Sequence, residues 1–383
     1  MKKVLIIGGG IGGCISALEL EKKGWDVTLV DAAKELGAGL RTRFIGGHPY
    51  TFGPRHFLTH NTEVYEYLDS IVPLRRCAEH QFLSYIEQDR NFYSYPIHFD
   101  DIPRMPEALQ IEKELEGLEA RFRDNEYRLT QGDATNGITA SDYKDFWIKS
   151  IGPTLYEKFI GTYSRKMWQL EDESIIDDFT WSPKGVAIKR GQRAGWDTAI
   201  SAYPIAADGY NKIFDLTLSK VKCVMGERIS SIDPITKKTV IRGEKLHFDV
   251  VINTVPLDDI FENCHGRLNF VGRDIQYIVL PIKNALPEDV YFTYYCGGEK
   301  YTRVTEYKKF TKHNSEQTLI SIESPSSNGR YYPLPVASQR EIAKKYLGML
   351  GDGFYSIGRL GLYNYRYDID DVVEQSLEVV RSV

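Results

Sequence analysis

Gly8, Gly10 and Gly13 form a Gly-x-Gly-x-x-Gly turn between the apolar run Val4–Ile7 and a helical stretch. This spacing suits phosphate chemistry. Gly8 allows the tight turn, Gly10 lets backbone approach a pyrophosphate, and Gly13 lets helix pack closely on strand. The helix start offers free N–H groups and a partial positive charge to the phosphates. A second apolar run, Val27–Val30, ends in Asp31, placed to accept hydrogen bonds from an adenosine ribose. The pattern indicates an adenine dinucleotide without choosing between NAD and FAD. Tyrosine is the other chemical signal: 25 are present, several clustered in the last ninety residues. Near arginines, rings that stack and hydroxyls that donate point to a nucleotide or sugar site. A tyrosine-rich core with wet edges would give the same composition.

The elements that must position these residues follow from periodicity and breakers. Residues 1–31 read as a βαβ unit, and Gly37–Phe57 as a glycine- and aromatic-rich loop lining a cofactor. From about Pro103 to Trp168 the pattern is helical. Ser141-Asp142 caps one helix, and Pro153 suits the first turn of another that runs to Trp168. Strands return at Val221–Val224, Ile229–Ile232, Thr239–Ile241 and Phe248–Ile252. Tyr277–Pro281, Val290–Tyr295 and Thr318–Ile322 form an antiparallel group. Phe354–Ile357 and an amphipathic helix from about Asp370 close the chain.

At 383 residues, two or three lobes are expected. The net charge of −5 gives no support for nucleic acid, so an anionic ligand needs local arginines. The five cysteines are scattered and include no CxxC, and the eight histidines show no ligand spacing. The expectation is therefore no metal and a reducing, cytoplasmic setting. No apolar run approaches the roughly 20 residues that span a bilayer, and no signal peptide is expected.

Several segments in order resemble the UDP-galactopyranose mutase family, over most of the chain. They are Gly152-x-x-Leu155-Tyr156 with Tyr163-Ser164-x-Lys166-x-Trp168, and Phe292-Thr293 with Tyr301-Thr302-Arg303-x-x-Glu306-x-Lys308-x-Phe310. Tyr331-Tyr332-Pro333 and Gly358-Arg359-Leu360 with Tyr363-x-Tyr365 and Asp368 follow. Asp249–Pro256 resembles a segment shared with flavin amine oxidases. The resemblance implies an α/β fold: a FAD-binding Rossmann-like domain of the GR2 flavoprotein type, an inserted helical lobe and an antiparallel sheet domain. It implies segments 1–102 for the cofactor, 103–200 for the helical insert and mobile substrate loop, 201–352 for the substrate sheet with returning cofactor-domain strands, and 353–383 for the last cofactor-domain strand and helix.

The implied activity is exchange of an NDP-hexose between pyranose and furanose forms. In the family, reduced FAD is the nucleophile: flavin N5 attacks the anomeric carbon and expels the nucleoside diphosphate, with no net redox. Arg303 matches the diphosphate-binding arginine, whose fork suits two phosphate oxygens; an ion pair with Glu306 is its structural alternative. Tyr331 and Tyr365 match phosphate-binding tyrosines, and Tyr163 and Trp168 match residues of the nucleotide and sugar end. Arg359 and Asp368 are expected near the flavin, with the following helix aimed at its carbonyl edge.

Four departures mark a divergent member. Gly53-Pro54-Arg55-His56-Phe57-Leu58 places Arg55 where the family carries a histidine beside the flavin. Gly37-Ala38 replaces Gly-Gly. The second diphosphate arginine has no match, leaving Lys184, or Lys189 and Arg190. Trp196 is the candidate for stacking on the nucleobase. The base and sugar stay open, and so does loss of flavin: a flavin-free mutase or nucleotide-sugar-binding protein is one alternative, an amine-oxidase-type flavoenzyme another. The expected partner is a nucleoside-diphosphate sugar, without nucleic acid or membrane, and a homodimer is compatible with the sequence.

Overall fold

The structure, a computed structural model, describes residues 1–77, 79–119, 140–179, 182, 187–196 and 199–383. The opening unit folds as expected, with β1 (Lys3–Ile7), α1 (Ile11–Lys22) and β2 (Asp26–Asp31). β1 is buried along nearly its whole length, as a central parallel strand must be. Along the rest of the chain come β3 (Gln81–Ile86), β4 (Asn91–Tyr95), α2 (Ala108–Glu119), α3 (Tyr143–Ile151) and α4 (Thr162–Trp168). Then follow β5 (Lys222–Met225), β6 (Val250–Asn253), β7 (Phe270–Leu280) and β8 (Val290–Tyr295). β9 (Arg303–Glu306), β10 (Thr318–Ser326), β11 (Tyr332–Pro333), β12 (Phe354–Ser356) and α5 (Ile369–Ser382) complete the set used below.

Five of these strands form a parallel sheet in the order β5-β2-β1-β6-β12. Strand order reverses at β1, so the crevice beyond its carboxyl end is the natural ligand position. Two glycines explain how tightly this sheet is covered. A Cβ on Gly13 would sit 1.9 Å from the Gly8 carbonyl oxygen, and one on Gly12 would sit 2.7 Å from Val372 on α5. Gly13 thus lets α1 lie on β1, and Gly12 lets α5 lie on α1. Ser376 of α5 donates to the Gly12 carbonyl at 3.2 Å. Ile15, Leu18 and Leu20 are buried beneath, each contributing roughly 1.5–3 kcal/mol.

The second sheet has seven strands, in the order β11-β7-β10-β9-β8-β3-β4. It is antiparallel except where β8 runs parallel to β3. β3 and β4, from the segment 1–102 read from sequence as the cofactor part, belong to this sheet: β3 pairs with β8, and β4 pairs with β3 at the edge. In the opposite sense, β5 and β6 return to the first sheet from within 201–352. The stretch Gly37–Phe57 is more ordered than a loop. Arg43–Ile45 and His48–Tyr50 pair around Gly46-Gly47, both with positive φ, the conformation a two-residue hairpin turn needs. Ile229–Ile232, expected as a strand, makes only isolated bridges.

The helical lobe covers one end of this sheet. Asp142 caps α3 through the Asp145 amide, Gly152 at φ +83° ends it, and Pro153 starts the next turn. A wide turn, Glu157–Gly161, leads into α4. Among the described residues, no helix is long and apolar enough to cross a membrane.

Candidate active site

A cavity of about 260 Å³ lies between the helical lobe, the seven-stranded sheet and the start of α5. Its floor follows from strand pairing. Ser84, Tyr294, Arg303 and Glu323 are direct neighbours across β3, β8, β9 and β10, so their side chains share one face. Along β8 the same face carries Phe292, Tyr294 and Cys296, all lining the cavity. Thr293, between them, is buried on the other side.

The opposite wall comes from α4. Tyr163, Ser164, Met167 and Trp168 line the cavity, the i, i+1, i+4 and i+5 set that one helical face presents. Lys166 points the other way and donates to the carbonyls of Tyr295 and Gly297 at 2.8 and 2.9 Å, fastening α4 to the end of β8. Tyr163 meets Tyr294 edge-on at 5.5 Å, and Trp168 meets Tyr365 edge-on at 4.8 Å. Burial pushes the Tyr163 phenol well up. It pushes Tyr294 up to about 12, although the Arg303 charge opposes the shift. Both stay neutral donors at neutral pH.

Arg303 forms a two-pronged pair with Glu323: Nε to Oε1 at 3.0 Å and Nη2 to Oε2 at 2.7 Å. The partner is therefore Glu323 and not Glu306. Glu306 accepts from the amides of Ala285 and Leu286 and from Thr318. Glu323 holds the guanidinium in place from behind, and the Tyr294 phenol lies within hydrogen-bonding reach of it. Burial alone would favour losing the Arg303 proton, but Glu323 overrides it and holds the group firmly charged.

Tyr365, Arg359, Asp368 and Ile369 close the cavity at the start of α5. Arg359 donates to Asp368 at 2.6 Å and to the Tyr367 carbonyl at 2.9 Å. Asp368 is the N-cap of α5 in a reciprocal capping box with Asp371. Arg55 and Trp196 also line the cavity, and Trp196 lies edge-on to Phe82 at 5.5 Å.

Tyr331 lies elsewhere. It is exposed and packs its ring on Phe52 at 4.8 Å, while its neighbour Tyr332 lines the cavity. Tyr332 opens β11 and Tyr331 lies just before it, so the two rings enter different surroundings. Tyr332 sits 4.5 Å beneath the guanidinium of Arg273. Burial works against ionising this phenol, but Arg273, Arg55 and Arg303 outweigh it and bring its pKa below the ordinary value. Arg273 itself is buried, donating to the Gly272 carbonyl and to the Met167 sulfur. Sequence reasoning missed Arg273, Tyr332 and Glu323. The adjacency of Tyr331 and Tyr332 was the one available signal.

The three basic residues read as substitutes for a second diphosphate arginine divide as follows. Lys184 lies outside the described residues. Lys189 is buried and donates to the Ala194 carbonyl, and Arg190 stacks on Phe99 at 3.5 Å.

The dinucleotide turn connects to this cavity through Arg55, which lines the cavity and lies against Gly39, next to Ala38. Gly8 has φ +102°, and a Cβ there would meet Thr254 at 2.2 Å. A Cβ on Gly10 would meet only the Ala38 methyl, at 4.0 Å, so the ground before the turn is open backbone facing Ala38. Asp31 accepts from the Gly9 amide at 2.5 Å and the Ala33 amide at 2.6 Å, which stiffens the turn. The first amides of α1 have no intrahelical acceptor. These residues fit a bound dinucleotide, with the Ala38 methyl narrowing its approach.

A family profile described as UDP-galactopyranose mutase matches residues 158–365, and one described as an NAD(P)-binding Rossmann-like domain matches residues 6–71. The chain is similar to a dTDP-fucopyranose mutase of Escherichia coli, 24% identical over 99% of this chain and 97% of the relative. It is also similar to a probable UDP-galactopyranose mutase of Klebsiella pneumoniae, 21% identical over 98% and 93% of the two chains. In fold it resembles a crystal structure of reduced UDP-galactopyranose mutase, with a TM-score of 0.79, 16% identity, and 99% and 93% coverage.

Proposed function

The chain belongs to the UDP-galactopyranose mutase family, and we propose that it exchanges a nucleoside-diphosphate hexose between its pyranose and furanose forms with FAD as resident cofactor. The observation that carries this reading is the cavity in which Arg303, Tyr163, Trp168 and Tyr365 meet, linked through Arg55 and Gly39 to the loop that faces the dinucleotide turn.

Each group has work in that reaction. Breaking the anomeric C–O bond leaves charge on the diphosphate, which must stay bound for the return step. Arg303, immobilised by Glu323, meets that charge with donors already in place. Tyr365 and Tyr332, whose rings meet edge-on at 5.6 Å, offer phenol groups to the same charge. Tyr163 and Trp168 enclose the sugar and keep water from the opened anomeric centre. Reduced FAD, held there, would supply nucleophilic chemistry at the anomeric carbon. Gly8, Gly10 and Gly13 with α1 would hold its pyrophosphate, and Arg359, Asp368 and the start of α5 would hold its isoalloxazine end.

The full-length similarity to mutases acting on dTDP-fucopyranose and UDP-galactopyranose supports a nucleoside-diphosphate sugar as the substrate class. The sign of the cavity disfavours the amine-oxidase alternative, because guanidinium groups repel an ammonium substrate.

Calorimetry with a nucleoside diphosphate tests the reading. Arg303→Ala should weaken binding by about 10- to 100-fold, the scale of lost hydrogen bonds to a charged group. It also strands Glu323, which is buried, and so should lower Tm. Arg303→Lys keeps the counter-charge and loses the fork, which separates the two effects. Wild-type affinity in both variants would refute the assignment.

A further inference from the structure

Around this cavity the described charges do not balance. Arg303 is matched by Glu323 and Arg359 by Asp368, whereas Arg55 and Arg273 have no carboxylate within ion-pair distance among the described residues. Arg273 spends its donors on a carbonyl and a sulfur and lies behind Tyr332. Arg55 lines the cavity itself.

Local backbone sets where Arg55 points. Gly53, at φ +72°, turns the chain just before it, and Nε donates to the Phe52 carbonyl at 2.9 Å. That single bond fixes the plane of the guanidinium and leaves the Nη donors uncommitted. The group lies against the backbone of Gly39, where a Cβ would be 3.2 Å from Nη2. Gly39 follows the Ala38 turn, so Arg55 stands between the cofactor loop and the substrate cavity. A half-buried guanidinium without a counter-charge is costly unless an anion completes it.

We propose that Arg55 is the second guanidinium for the diphosphate of the nucleotide ligand, acting in the same cavity as Arg303. This rests on the functional reading above. Lys189 and Arg190 are occupied elsewhere, which leaves Arg55 as the cavity-lining cation with free donors and no acidic partner among the described residues. The position of Tyr332 agrees, since the charges of Arg55 and Arg303 both reach its phenol. A diphosphate held by two forks keeps its orientation after the glycosidic bond breaks, so that it can return to the same carbon.

The alternative acceptor is the pyrophosphate of FAD, reached past Gly39. Calorimetric titration of the FAD-loaded protein with UDP, and in parallel with dTDP, separates the two, with flavin content read from visible absorbance. Arg55→Gln should weaken the tighter of the two ligands about tenfold or more, the scale of a lost charge-assisted pair, at unchanged flavin stoichiometry. Arg55→Lys should fall between, because it restores charge without the fork; this variant also reads the claim if the glutamine protein does not fold. Wild-type affinity for the diphosphate in both variants overturns the proposal, whether or not flavin is lost. Loss of flavin with unchanged UDP affinity assigns Arg55 to the cofactor instead. The two readings fail separately. If Arg303→Ala weakens UDP binding and Arg55→Gln does not, only the role of Arg55 falls. If neither does, the functional reading falls with it.

Discussion

At the scale of single residues, the site works by fixing charge before a ligand arrives. Glu323 holds the Arg303 fork, Asp368 holds Arg359, and the surplus positive charge bears on Tyr332. Asp370, at the start of α5, shows the opposite situation. Burial, and then the charges of Asp371 and Asp368, raise its pKa to about 7, while a hydrogen bond from Thr59 works against the rise. The folded protein therefore keeps a proton that the unfolded chain loses near the ordinary carboxyl value. Stability contributed by this group falls as pH rises from about 4 through about 7. Asp370→Asn should flatten that slope and raise Tm above neutral pH. A melting profile in which the variant follows wild type at every pH would show that Asp370 ionises normally.

At the scale of elements, legibility depended on whether a side chain's direction follows from local periodicity. Tyr163 and Trp168 were assigned to the site through the family resemblance, and α4 brings both to the cavity. The partner of Arg303 was not readable, because Glu323 becomes its neighbour only through the register of β9 with β10, twenty residues away. Tyr332 opens the two-residue strand β11 and Tyr331 lies just before it, so which ring enters the cavity is settled only by where β11 pairs with β7. Arg273 has no surrounding motif; its place is set by β7 alone. The cofactor turn was the most legible element, since Gly8 and Gly13 each answer to a local steric demand and Gly10 leaves open ground before the turn. Ala38 breaks that pattern. It holds φ +46°, the left-handed region that costs a residue with a Cβ roughly 1–2 kcal/mol, and its methyl faces Gly10. Ala38→Gly should tighten FAD binding by up to roughly tenfold, about 1.4 kcal/mol. Its effect on Tm should be small, because glycine also loosens the unfolded chain. A flavin titration giving unchanged affinity would place the methyl outside the path of the pyrophosphate.

At the scale of the whole molecule, two sheets divide the labour. The parallel sheet ends in the glycine turn, the mixed sheet provides the cavity floor, and α5 belongs to both by packing on α1 while offering Asp368, which holds Arg359, and Ile369 at its start. The order of the chain hides this arrangement. β3 and β4 leave the first unit early to join the second sheet, and β5, β6 and β12 return from it. A formal charge of −5 spread over the surface coexists with unmatched guanidiniums inside, so an anion is drawn to the cavity and not to the protein at large. The central claim, ring-size exchange on a nucleoside-diphosphate sugar, has a direct test. FAD-loaded protein is incubated with UDP-galactose or dTDP-fucose, with and without dithionite, and the pyranose and furanose forms are separated by chromatography. The account predicts a furanose peak that requires reduction and is lost in Arg303→Ala. Reduced, flavin-loaded protein that leaves both sugars in the pyranose form while binding UDP and dTDP would contradict it.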